Sequence, residues 1–320
     1  MTETILEAQD LRVHYQTKRG PVKAVDGVTM DLRLGETVGV VGETGCGKST
    51  LGKAILGLLP PRTDVTGSLR LRGRDLLAIP PDEYRKLRGE ELALIFQDPM
   101  TRLDPLMTVR KHFLETLRAH NRGISREEAA RRAAEVLLSL GIPENRLDYY
   151  PHEFSGGMRQ RIMIAMAIVL RPRLLVADEP TTSLDVIVES QILEILRDLR
   201  RAYSMTVLLI THNLGIVAEV CDRAAVMYAG KIVELGSVDD VFRRPIHPYT
   251  QGLLASTISV DTKVLHSIDG LPPSLLQPPA GCRFHPRCEH ARDVCRSEDP
   301  PMVEFRPGHF AACHFGRDFL

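Results

Sequence analysis

The stretch Gly42-Glu43-Thr44-Gly45-Cys46-Gly47-Lys48-Ser49 restricts the fold more than any other part of the chain. It fits the pattern G-x-x-x-x-G-K-[ST], and its surroundings are those the pattern needs. Before it stands Thr37-Val38-Gly39-Val40-Val41, the short apolar run of a buried strand; after it comes a helical pattern over 48–58. In such a strand–loop–helix unit, glycines let the backbone curl until successive N–H groups and the helix N-terminus face an anion. Lys48 is then placed to reach the outer phosphates of a nucleotide, and Ser49 to hold magnesium.

Strand-like runs recur at 174–177, 207–211 and 224–228, with a helical pattern over 186–201 between the first two. Strands alternating with helices predict an α/β fold with a mostly parallel sheet. Ahead of them, 6–34 alternates in short β-type runs broken at Lys18-Arg19-Gly20-Pro21, which predicts an antiparallel edge sheet. Residues 125–170 are rich in Glu, Arg, Ala and Leu at helical spacing and predict an inserted helical subdomain, bounded at about 98–170. Beyond about Pro245 the periodicity fades and prolines gather at 272, 273, 278 and 279. The expected division is a main domain over 1–245 and a small appended module over 246–320.

Two function classes recede on composition. The 41 basic residues balance 41 acidic ones, so no net field favours nucleic acid or anionic lipid. No run approaches the roughly 20 apolar residues of a bilayer-spanning helix. The opening MTETILEAQDLRVHY lacks the basic and apolar blocks of a secretory signal, so the chain is expected to stay inside the cell.

A second chemical feature is Arg173-Leu174-Leu175-Val176-Ala177-Asp178-Glu179, an apolar strand ending in two carboxylates. Such acids can be simple turn formers. Beside a phosphate loop, Asp178 is suited to orient magnesium-bound water and Glu179 to polarise an attacking water. Ser155-Gly156-Gly157-Met158 precedes a helix whose face carries Ile162, Ala165, Met166, Val169 and Leu170. Ser155 can cap that helix, and the glycines can leave its N-terminal amides open to an anion. Cys46 and Cys221 stand alone, whereas Cys282, Cys288, Cys295 and Cys313 crowd the tail as C-x5-C-x6-C-x17-C. In a reducing compartment that spacing suggests one zinc or an iron–sulfur cluster before disulfides. Cys46 is read as a small loop residue, with an alkylatable thiol as the other reading.

Together these pieces resemble the ATP-binding-cassette family, with Phe154-Ser155-Gly156-Gly157-Met158 standing for the usual LSGGQ signature. The resemblance implies a P-loop NTPase with a RecA-like core, an antiparallel β edge sheet, an inserted helical subdomain and a small Cys-rich C-terminal module. It assigns Gln97 to the Q-loop, Ser183-Leu184-Asp185 to the D-loop, His212 to the switch histidine and Tyr15 to adenine stacking, with Thr50 joining the loop in nucleotide contact. Two cassettes bind head to tail in this family. Lys48, Ser49, Gln97, Asp178, Glu179 and His212 would serve the chain's own ATP, with Glu179, His212 and Gln97 catalytic. Ser49, Gln97 and Asp178 would hold Mg2+, and Ser155, Gly156 and Gly157 would complete the partner's site.

The branch is marked by Gln97-Asp98-Pro99-Met100-Thr101-Arg102-Leu103-Asp104-Pro105, by His247-Pro248-Tyr249-Thr250, and by Leu271-Pro272-Pro273-Ser274-Leu275 ahead of Cys282-Arg283-Phe284-His285-Pro286-Arg287-Cys288. These are similar to the ATPases of oligopeptide, dipeptide and nickel importers. That likeness implies a motor on the cytoplasmic face of the cell membrane, working with two transmembrane permease subunits, a second cassette and an extracytoplasmic solute-binding protein. Di- or oligopeptides are the expected cargo, with oligosaccharide or nickel as alternatives. It also implies a [4Fe-4S] cluster on the four tail cysteines, with Zn2+ as the alternative. A soluble cassette acting on nucleic acid or the ribosome is the rival from another class, disfavoured by the zero net charge and the importer segments.

Overall fold

The structure, a computed structural model, describes residues 3–96, 103–181, 185–256 and 267–320. They fall into two compact units, one formed by 1–78 with 208–320 and the other by 79–207.

The first unit opens with a hairpin, β1 (Thr4–Thr17) and β2 (Gly20–Arg33), paired from Thr17↔Gly20 to Thr4↔Arg33. The next strand, β3 (Thr37–Val41), is buried at every position, as a parallel strand covered on both faces must be. Helix α1 (Lys48–Ile55) follows the glycine loop and stops short of the predicted residue 58. Gly57 at φ 59° lets its own N–H reach the Ala54 carbonyl (3.1 Å) and the Leu58 N–H reach that of Lys53 (2.9 Å), which closes the helix. Strands β4 (Thr63–Leu71) and β5 (Arg74–Asp75) complete an antiparallel sheet of order β2-β1-β4-β5.

The second unit holds α2 (Pro81–Glu90), β6 (Leu92–Ile95), α3 (Val109–His120), α4 (Arg126–Ser139), α5 (Gly156–Ile168), β7 (Leu174–Asp178) and α6 (Val186–Tyr203). β6 and β7 run parallel, Leu92 opposite Leu174 and Ile95 opposite Ala177. The helical stretch expected over 125–170 is two helices. α4 ends on Gly141 (φ 74°), with Ile142 N–H bonded to the Leu137 carbonyl at 2.9 Å, and Pro143 and Pro151 keep the link to α5 irregular.

The chain returns to the first unit through β8 (Thr206–Ile210), then α7 (Leu214–Val220), β9 (Arg223–Tyr228), β10 (Lys231–Ser237), α8 (Val238–Arg243), α9 (Pro248–Ala255), α10 (Asp293–Ser297), β11 (Val303–Arg306) and β12 (His309–Ala311). Here the strand order is β11-β12-β10-β9-β3-β8, with β3 parallel to β9 and β10 antiparallel to both β9 and β12. The tail is therefore not the separate Cys-rich module expected from its composition; its last two strands extend the sheet that begins at the phosphate loop.

The joint is a buried carboxylate. Glu234 on β10 and His309 on β12 are both 0% exposed, and His309 Nε2 donates to Glu234 Oε1 at 2.7 Å. The same carboxylate accepts the N–H groups of Ile246 (2.8 Å) and His247 (2.9 Å). A buried charge is tolerated only when its lone pairs are met in this way, so Glu234 fixes both the start of the tail and its final strand. Glu234→Ala is expected to destabilise the first unit by roughly 3–5 kcal/mol. Thermal unfolding followed by circular dichroism checks this, and an unchanged melting temperature would contradict it.

Candidate functional site

The phosphate loop is held in a shape only glycine permits at its two ends. Gly42 (φ 150°) and Gly47 (φ 112°) lie so close to neighbouring chain that a Cβ would sit 2.0 Å from the Met227 and Ala24 carbonyl oxygens respectively. Between them Gly45 (φ 82°) faces open space, and Thr44 is exposed beside it. Lys48, 5% exposed, folds into the loop and donates through Nζ to the carbonyls of Gly42 (2.7 Å) and Glu43 (3.0 Å), with Cys46 Sγ at 3.8 Å. The curled backbone and central ammonium fit a polyphosphate. Ser49 and Thr50 form the first turn of α1, and the Tyr15 hydroxyl of β1 donates to Thr50 Oγ1 at 3.1 Å. His212 is exposed just after β8, where Thr211 N–H bonds the Val40 carbonyl of β3 at 3.2 Å and Asn213 caps α7.

The other predicted residues belong to the second unit. Asp178, 9% exposed, ends β7. Glu179 follows at φ 48°, a left-handed conformation that costs a non-glycine residue about 1–3 kcal/mol and tends to mark functional positions. The buried Gln160 of α5 donates its amide to the Pro180 carbonyl, tying that helix to the same turn. Ser155 caps α5, accepting from Met158 N–H at 3.4 Å. A Cβ at Gly156 would meet nothing, whereas one at Gly157 would lie 2.7 Å from Val188 Cγ1 of α6. Gly156 thus leaves the helix start open, and Gly157 is also a packing requirement. Asp185 caps α6, its Oδ1 accepting from Val188 N–H at 3.0 Å. Gln97, Ser183 and Leu184 lie outside the described residues.

The tail cysteines correct a prediction. Cys282, Cys288, Cys295 and Cys313 border one cavity of about 20 Å³ walled by Phe284 and Phe315, room for about one water. Among the described residues no group of three or more His, Cys, Asp or Glu side chains could hold a metal ion. Burial pushes the thiols of Cys282 and Cys313 up to about 11 and raises that of Cys288, so they are kept as thiols, whereas metal ligation requires thiolates. The expected [4Fe-4S] cluster, and zinc as its alternative, are not supported; spacing along the chain carried no information about room.

Sequence reasoning missed the tail's grip on the loop. Burial holds His247 well below its ordinary value, to about 4, so it is neutral; its Nδ1 accepts from Tyr249 N–H at 3.0 Å. The Tyr249 hydroxyl in turn accepts from Glu43 N–H at 2.9 Å. Arg287 clasps the Glu43 carboxylate at 2.7 and 2.9 Å. His247 and Tyr249 were visible as a motif, but nothing local joins them, or Arg287, to Glu43.

Comparison with known proteins places this geometry. The family model "ABC transporter" matches residues 25–182, and "Oligopeptide/dipeptide transporter, C-terminal region" matches 233–295. The fold is similar to that of the dimeric ATP-binding cassette MJ0796 bound to ADP and Pi (TM-score 0.66, 26% identity, 73% of this chain and 99% of that one). It is also similar to cbiO1 of Clostridium perfringens (TM-score 0.65, 29% identity, 75% and 91%). These likenesses define an ATP-binding cassette, an ATP-hydrolysing class. The chain is 46% identical to the oligopeptide transport ATP-binding protein OppD of Escherichia coli K12 over 97% of its length and 93% of the relative's. It is 45% identical to the dipeptide transport ATP-binding protein DppD of Lactococcus lactis, over 97% and 90%. The chain belongs to the ABC transporter family, in its oligopeptide and dipeptide branch.

Cys46 is 5% exposed, and burial raises its thiol above the ordinary value against the opposing pull of Lys48. A raised value means less thiolate at any pH below it. Iodoacetamide at pH 8 is expected to modify Cys46 at least roughly tenfold more slowly than free cysteine. Peptide mass spectrometry reads the rate, and labelling at the free-thiol rate would contradict it.

Proposed function

We propose that the chain is the motor subunit of an ABC importer, converting ATP binding and hydrolysis into uptake of di- or oligopeptides through partner permeases. The observation that carries the reading is the glycine cradle closed around Lys48. The names of the relatives, oligopeptide and dipeptide transport ATP-binding proteins, supply the cargo class. On this reading 1–245 is the catalytic cassette and 246–320 its importer-type tail.

Lys48 and the loop amides bind the β- and γ-phosphates, and Tyr15 lies against the base. Ser49 and Asp178, with Gln97, would hold magnesium, which supplies positive charge to the phosphate oxygens when bound. Glu179 takes the proton of the attacking water while His212 steadies the terminal phosphate. Ser155, Gly156 and Gly157 reach the nucleotide of a second cassette, with Asp185 at the same interface. Val186 and Ile187, 76% and 72% exposed on the first turn of α6, support a partner there. Leu106, 84% exposed, supports docking of a permease beside the Q-loop segment. Among the described residues no helix is long and apolar enough to cross a membrane, which suits a peripheral motor on the cytoplasmic face, working with two permeases and fed by a solute-binding protein.

Glu179→Gln in the assembled transporter is expected to lower ATP turnover by at least about 100-fold, measured as phosphate release, with ATP still bound. Undiminished turnover would remove Glu179 from the chemistry. Mild solubilisation of native membranes followed by affinity purification is expected to recover two polytopic permeases and a second cassette. Recovery with ribosomes or nucleic acid instead would overturn the transport reading.

A further inference from the structure

Arg287 lies 244 positions beyond Glu43, yet its guanidinium has no donor to spare. Nη1 donates to Glu43 Oε2 (2.7 Å) and to the Tyr228 hydroxyl (3.3 Å). Nη2 donates to Glu43 Oε1 (2.9 Å) and to the Ile268 carbonyl (3.2 Å), and Nε to the Asp269 carbonyl (2.9 Å). A guanidinium offers five N–H groups in a rigid fork, and all are engaged, so its orientation is fixed. The side chain is 5% exposed, and its Cζ lies 5.8 Å from the centre of the Tyr228 ring. That ring packs against Tyr249 and Phe284, at centroid distances of 4.5 and 5.2 Å.

Glu43 is equally committed. Its carboxylate takes the Arg287 fork, its N–H donates to the Tyr249 hydroxyl at 2.9 Å, and its carbonyl accepts Lys48 Nζ at 3.0 Å and Cys46 N–H at 3.3 Å. A path of three residues therefore runs from the tail to the phosphate-binding lysine.

We infer that Arg287 is a positioning residue for nucleotide binding, which sets the conformation of the phosphate loop through Glu43 and neutralises a carboxylate that would otherwise repel the triphosphate. This rests on the reading of 42–49 as the phosphate loop. Both effects follow from the pair's geometry: a bidentate fork fixes the carboxylate and with it the Glu43 backbone, and a lone negative charge in a loop that receives polyphosphate raises the free energy of the bound state. It also gives the tail a task that needs no metal: it braces the site that binds the nucleotide.

The test uses the full-length chain titrated with Mg-ATP by calorimetry, beside its melting temperature without nucleotide. Arg287→Ala is expected to raise the Kd roughly tenfold, and Glu43→Gln added to it to recover most of that loss, because the unpaired charge is gone. A purely structural role would move the melting temperature without rescue of affinity by Glu43→Gln. In the assembled transporter the Arg287→Ala change should appear in KM for ATP, with kcat altered less than about twofold. Wild-type affinity in Arg287→Ala, or a loss that Glu43→Gln does not relieve, would overturn the inference. Should the alanine chain not fold, Arg287→Lys decides: it keeps the charge without the fork, and a rise in Kd of roughly threefold is expected. Wild-type affinity in that chain would count against the inference. Lys48→Ala separates the two readings: if it binds ATP normally, the phosphate-loop reading fails, and if it alone loses ATP, only the role of Arg287 fails.

Discussion

Everything in the first unit is arranged around a backbone that passes too close to its neighbours for any side chain at Gly42 and Gly47. Carbonyl oxygens of Met227 and Ala24 occupy the places a Cβ would need, so β9 and β2 are the walls against which the loop is moulded. The Gly230 N–H, in the turn after β9, holds the Cys46 carbonyl at 2.8 Å, and the Asp26 N–H of β2 holds the Gly230 carbonyl at 2.8 Å. The curl that offers amides to an anion is thus enforced by strands well separated in sequence, before any ligand contributes.

The tail extends the same principle with buried polar groups in place of a large apolar core. Glu234 gathers Ile246, His247 and His309, and Arg283 pairs with Asp26 while donating to the Ala229 carbonyl. Each is a charge taken out of water and fully met, which makes the arrangement specific: a shifted tail would strand a carboxylate or a guanidinium. The carbonyl held by Arg283 belongs to the same turn that fixes Cys46, so the polar joints of the tail converge on the phosphate loop.

Much of this was legible in the sequence. The loop could be read because glycine spacing, the apolar run before it and the helical pattern after it each report on local backbone. β3, β7 and β8 stood out because central parallel strands are apolar throughout. Helix ends were less visible: α1 and α4 close on Gly57 and Gly141, whose left-handed conformations a pattern of apolar spacing does not register. The tail was misread for a different reason. Proline content and four cysteines describe composition, whereas its real attachments, Arg287 to Glu43 and His309 to Glu234, are between residues far apart in the chain, and the cysteines surround a space too small for the cluster their spacing suggested.

The central claim is that this chain binds ATP at the loop around Lys48. A ligand that binds the folded state alone raises its stability by about 2.7 kcal/mol at a hundred times its Kd. The most direct measurement is therefore the melting temperature of the full-length chain across a range of Mg-ATP concentrations. The account predicts a rise that grows with the logarithm of ATP concentration and is absent with AMP, which lacks the β- and γ-phosphates. A melting temperature indifferent to ATP, or raised equally by AMP, would contradict it.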